Sequence, residues 1–202
     1  MLSRLVALLA LALLFGHAPA EATDSTWQRL AAGRYAPGSV AQLKAAGYTL
    51  VAGQVVWYAG LTPPPTGAVQ PAAFYVNNPL TVYGGVKIPV GPDAGGMSDV
   101  FQLDGDSAIA VFGTTPPPIT YYSITMNEFA RYRPDTGKMV QTNTRVALSV
   151  NNENIGTTQG RPFDAKFVVI IAAQRAAAQQ ARDFFLRQGV PAGSINTILF
   201  PH

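Results

Sequence analysis

The stretch "KFVVIIAAQRAAAQQARDFFLRQGVPAGSINTILFP", Lys166 to Pro201, decides the fold. "KFVVIIAA", Lys166 to Ala173, is a continuous apolar run, the pattern of a strand covered on both faces. "QRAAAQQARDFFLRQG" follows as an Ala-rich helix, with Ala177, Ala181, Phe184 and Phe185 near one face and Gly189 at its C-terminal cap. "SINTILFP" returns as a strand. Strand, helix and strand in this order form a βαβ unit. The fold class is therefore α+β, or α/β, with a mixed sheet and a C-terminal βαβ unit.

Upstream the signals are shorter. "SAIAVFGTT" reads as a buried strand, and "ITYYSITMNEF" as one half-buried strand, with Tyr122, Ile124 and Met126 on one face. "RPDTGK" is a turn, and "TRVALSV" is the next strand, which makes a hairpin. "GSVAQLKAAG", Gly38 to Gly47, is a short helix with Ser39 as N-cap, Val40, Leu43 and Ala46 on one face, and Gly47 as C-cap. "TLVAGQVVWYAG" is a strand or hairpin, and "LTVYGGVKIPV" a strand interrupted at Gly84-Gly85. Between them "LTPPPTGAVQPAAFYVNNP" is a proline-rich crossing without regular structure through its middle. Residues 25–98 form a loop-rich N-terminal part, and 99–202 the sheet that ends in the βαβ unit.

The N-terminus "MLSRLVALLALALLFGHAPAEATDS" has Arg4 ahead of an apolar run from Leu5 to Phe15, then the small-x-small triplet Ala18-Pro19-Ala20. That is the layout of a secretory signal peptide, residues 1–20, leaving a single mature domain of residues 21–202 exported to the periplasm or beyond the cell. No later run is long enough to span a membrane. Removing Arg4 takes the formal charge from +3 to about +2, too little for a nucleic-acid footprint.

The chain holds no Cys and two His, of which His17 belongs to the signal and His202 is the last residue. A Cys-His pair is excluded, disulfides are excluded, and zinc or copper sites lack ligands. No P-loop, dinucleotide fingerprint or nucleophile elbow occurs, so no cofactor is expected. Chemistry, if present, rests on carboxylates, Tyr, Lys, Arg or Ser/Thr.

The densest cluster of such groups is "FGTTPPPITYYSITMNEFARYRPDTG", Phe112 to Gly137. Tyr121 and Tyr132 offer faces on which a sugar or apolar small molecule stacks, while Glu128, Arg131 and Arg133 fix polar groups. The same residues also suit a stiff connection between strands. Asp99, Asp104 and Asp106 supply hard oxygen ligands for Ca²⁺, although Asp-Gly-Asp equally forms a turn. Glu128 is the candidate acid or base of a glycan hydrolase, with Glu153, Asp104 and Asp164 as the other carboxylates. "VNNENIGTTQGRPFD", Val150 to Asp164, is a polar loop in which Asn151, Asn152 and Asn154 line a ligand or shape turns.

"TTPPPITYYSITMNEFARYRPDTG", "ALSVNNENI" and the terminal strand-helix-strand together resemble a group of uncharacterised exported proteins with a Pro-Pro-Pro plus aromatic strand and a polar Asn-containing loop. The resemblance covers roughly residues 105 to 201. It implies this architecture and no reaction. Where that group carries an acid in the polar loop, this chain has Asn151 or a neighbour. The leading expectation is a non-catalytic ligand-binding protein, ahead of a carboxylate-dependent glycan hydrolase and of a structural envelope protein.

Overall fold

A computed structural model describes residues 4–11, 25–58, 83–89, 96–98, 102–145 and 149–200. The elements run β1 (Arg4–Leu11), α1 (Ser25–Ala31), α2 (Ser39–Ala45), β2 (Tyr48–Tyr58), β3 (Tyr83–Pro89), β4 (Met97–Ser98), β5 (Ala108–Thr114), β6 (Ser123–Ile124), β7 (Asn127–Arg133), β8 (Lys138–Arg145), β9 (Val150–Asn151), β10 (Lys166–Ala172), α3 (Arg175–Arg187) and β11 (Ile195–Leu199). The architecture is α+β, and the expected strand-helix-strand is β10-α3-β11, whose two strands pair in parallel.

Seven strands form one sheet in the order β11-β10-β5-β1-β2-β3-β4. β10 meets β5 antiparallel, β1 lies parallel to both β5 and β2, and β3 returns antiparallel to β2. Alternation along each strand then divides the core into two layers. Ala108, Ala110, Phe112, Val168 and Ile170 face α1, α2 and α3 through Trp27, Leu30, Leu43, Phe184 and Phe185. Ile109, Val111, Phe167, Val169 and Ile171 face the other way, onto Val150, Ile198 and the partly buried Ile124, Met126 and Ile155. From Phe167 to Ala172 every residue is buried, as an unbroken apolar strand requires.

The apolar run that reads as the leader's hydrophobic core also supplies β1. The seven apolar residues Leu5–Leu11 satisfy both descriptions, because a central strand with parallel neighbours needs continuous hydrophobicity rather than alternation. The Ala18-Pro19-Ala20 triplet and the proline-rich crossing lie outside the described residues.

Four local expectations change. The strand that returns from the "RPDTGK" turn, expected at "TRVALSV" from Thr144, is β8, which starts at Lys138 directly after the turn. Gly38, at φ 78°, caps α2, and Ser39 sits in the first turn, where its hydroxyl donates to the Ala36 carbonyl at 2.8 Å. The left-handed entry, which glycine takes without penalty, moves the cap back by one residue. β3 runs through Gly84 and Gly85 without a break, since both pair with β2, opposite Trp57 and Val56. The half-buried strand drawn from Ile119 to Phe129 is two strands: β6 pairs with β9, while β7 leaves to pair with β8.

Candidate functional site

The sheet positions three surface features: an arm, a clamped polar loop and a groove. The arm is the β7–β8 hairpin, closed by the expected turn, with Gly137 N–H donating to Arg133 C=O at 2.8 Å. Its register shifts between Glu128 and Ala130. Residues three apart in a regular strand point to opposite faces, so the ion pair between Glu128 and Arg131 depends on this irregularity. It is two-pronged, Nε to Oε1 at 2.8 Å and Nη2 to Oε2 at 3.2 Å, and raises the affinity of Arg131 for its proton. Arg133 is held likewise by both oxygens of Asp135, each at 3.1 Å.

The sequence-derived ligand set is thus distributed as follows. Glu128, Arg131, Tyr132 and Arg133 share the arm, and both arginines are occupied by carboxylates of the arm itself. Tyr132 stands opposite Met139 and is 56% exposed. Tyr121 is equally exposed but precedes β6, outside the hairpin. These residues make a projecting surface, with Phe129, Met139 and Val140 also exposed.

Asp104 and Asp106 flank a turn leading into β5. Ser107 donates its hydroxyl to Asp104 Oδ1 and its N–H to the Asp104 carbonyl, so Asp104 acts as a turn former. Asp99 lies outside the described residues. Among the described residues no group of three His, Cys, Asp or Glu could hold a metal ion. Of the other carboxylates, Glu153 lies in the turn after β9, and Asp164, at φ 50°, directly before Ala165 and β10.

The polar loop is built by its asparagines. Asn154 Oδ1 accepts from Asn151 N–H, Asn151 Oδ1 accepts from Glu153 N–H, and Asn154 Nδ2 donates to the Ser149 carbonyl. Asn196 of β11, which the sequence reading passed over, clamps the loop. Its Oδ1 accepts from Gly156 N–H at 2.7 Å, and its Nδ2 donates to the carbonyls of Gly156 and Val168 at 2.9 and 3.0 Å.

Tyr122 closes the other side of this layer. Its hydroxyl donates to the Pro162 carbonyl at 2.5 Å, and its ring meets Phe163 edge-on at 5.9 Å. Burial pushes its pKa up to about 12, against a smaller opposing effect of the Thr115 hydroxyl. The folded state therefore keeps the phenol proton that the unfolded chain releases near pH 10, and stability falls as pH rises from 10 towards 12. Tyr122→Phe is expected to flatten that fall, read from urea midpoints measured at pH 8 to 12. An unchanged slope would show that Tyr122 is not the group that titrates.

The groove was not legible in the sequence. It lies between α2 and the start of β2, has a volume of about 590 Å³, and is lined by Tyr35, Val40, Lys44, Gly47, Tyr48, Thr49 and Leu50. Tyr35 is placed from below, edge-on to Phe184 at 5.4 Å, and burial raises its pKa. The backbone beside it is fixed by buried Gln188, whose Oε1 accepts from Ala36 N–H at 2.6 Å. Lys44, in the last turn of α2, is exposed at the rim. Neither the Glu128–Arg131 nor the Arg133–Asp135 pair involves this ammonium, which has no ion-pair partner among the described residues.

A second hollow, about 220 Å³, lies between α3 and β11 and is lined by Arg175, Gln179, Arg182, Thr197 and Leu199 among others. Arg182 is already spent on the carbonyls of Ile195 and Ala192. Ligand pockets usually span about 300–1,000 Å³, so the α2/β2 groove has the size for a ligand and this hollow falls short. No protein-family model matches the chain, and neither a curated protein nor a solved structure is found similar to it.

Proposed function

We propose that this is an exported, non-catalytic binding protein that takes a small amphipathic carboxylate in the α2/β2 groove. The observation that carries the reading is the groove's composition: walls of Tyr35, Val40, Tyr48 and Leu50, with the ammonium of Lys44, which has no ion-pair partner among the described residues, at the rim. Apolar walls with few polar groups are the general form of a small-molecule site. A single cation at the mouth selects an anionic head over a neutral one. Export rests on the leader pattern of residues 1–20.

The test is a thermal-shift panel of decanoate, decanol and decyltrimethylammonium. At a hundred times its dissociation constant a ligand adds about 2.7 kcal/mol, roughly 5–10 °C for a chain of this size. Decanoate is expected to raise the midpoint and the other two to leave it unchanged. Lys44→Met is expected to weaken decanoate at least tenfold, and Lys44→Arg to retain most of the affinity. Equal shifts from acid and alcohol, or an unaffected Lys44→Met, would reject the site.

A second reading, a structural envelope protein, is favoured by the arm. Its exposed Phe129, Tyr132, Met139 and Val140 suit contact with a macromolecule better than capture of a small one. A panel without any shift would move the assignment there. The glycan-hydrolase alternative needs a second carboxylate facing Glu128; the group that engages Glu128 is the guanidinium of Arg131.

A further inference from the structure

We propose that β1 is a removable strand: the full-length chain holds Arg4–Leu11 in the sheet, and the chain that begins at Glu21 closes β2 directly onto β5. The inference rests on the export reading of residues 1–20 and goes beyond it.

Three features of the sheet permit the closure. The first is direction. β2 and β5 both run parallel to β1, so they are parallel to each other and pair without reversal of either. The second is register. Val6 stands opposite Leu50 on one side and Ala108 on the other, and Leu8 opposite Ala52 and Ala110. With β1 gone, Leu50 meets Ala108 and Ala52 meets Ala110. The third is facing. Leu50, Ala108 and Ala110 belong to the same core layer, so the new pairs keep every β2 side chain on the face it already occupies. A slip of one residue would exchange the faces, and none is needed. The movement is one strand spacing, roughly 4.8 Å. β3 and β4, paired outward from β2, travel with it.

The absence of cysteine makes the test clean. Ala52→Cys and Ala110→Cys are introduced together into the full-length gene and expressed in an exporting host. A matched version carries Ala18→Phe and Ala20→Phe to block cleavage. With β1 between them, the two Cα atoms are about 9.6 Å apart by strand spacing, beyond the roughly 7 Å limit of a disulfide. After closure they are near 4.8 Å and within range. Intact mass reports the N-terminus, and non-reducing mass the crosslink.

A chain that starts at Glu21 and crosslinks, beside a blocked chain that stays reduced, is the expected result. A processed chain that stays reduced, or whose natural-sequence form has lost its cooperative urea transition, overturns the closure and leaves export standing. A chain recovered with residues 1–20 attached overturns both, and the mass tells the cases apart. Leu50→Cys with Ala108→Cys repeats the test if the first pair disturbs folding.

Discussion

Phe185→Ala is expected to destabilise the protein by about 3–5 kcal/mol, the range for a large aromatic side chain removed from a closed core. Phe185 has no exposed surface. It meets Phe112 of β5 edge-on at 5.8 Å and Phe184 at 5.5 Å, so it joins the C-terminal helix to the centre of the sheet. Each such aromatic pair adds about 0.5–1.5 kcal/mol beyond area burial. Domains have only about 5–15 kcal/mol in total, so the variant should sit near the edge of folding. Leu186, the next residue, is 39% exposed, and Leu186→Ala should stay within about 0.5 kcal/mol of the parent. Urea titration of the pair is the check. A Phe185→Ala loss below about 1 kcal/mol would mean that α3 does not pack on β5 as described.

Gly156→Ala should cost about 2–4 kcal/mol for a different reason. A Cβ on Gly156 would lie 2.1 Å from the Gly193 carbonyl oxygen and 3.3 Å from Asn196 Oδ1. The first is backbone, and the second is held by the clamp, so neither yields without moving the loop. Overpacking accounts for about 1–3 kcal/mol, and loosening of the Asn196 hydrogen bonds for about 1 kcal/mol each. Gly193 is the control, because a Cβ there meets nothing within 4 Å. Equal stabilities for Gly156→Ala and Gly193→Ala would show that the loop and the β11 entry are not in contact.

The C-terminal half was the most legible part of the chain. "KFVVIIAA" is long and wholly apolar, "AAAQQARDFF" has helical spacing, and the three elements are joined by short connections, so local pattern and tertiary outcome agree. The break between β6 and β7 could not be read, because alternation continues through Ser123–Met126 while the pairing partner changes from β9 to β8. The hairpin's turn was legible, but its return strand was not, since β8 begins at Lys138 rather than Thr144. The aromatic and charged density of residues 121–133 drew attention to the arm, yet its ion pairs are local and its tyrosines exposed. The groove escaped notice because Tyr35, Lys44 and Tyr48 are each ordinary in sequence. Only the packing of α2 over β2 makes them neighbours, and no periodicity encodes that.

Synthesis order gives the central place of β1 a further meaning. β1 is the first strand to be made, yet its two neighbours begin at residues 48 and 108. At about 5–20 residues per second, β5 follows β1 by roughly 5–20 s. Throughout that interval a bare apolar segment awaits its second partner, open to any factor that recognises nascent hydrophobic chains. The sheet thus reserves its middle position for a segment that waits about a hundred residues of synthesis for its second partner, and chain elongation sets the time available to divert it.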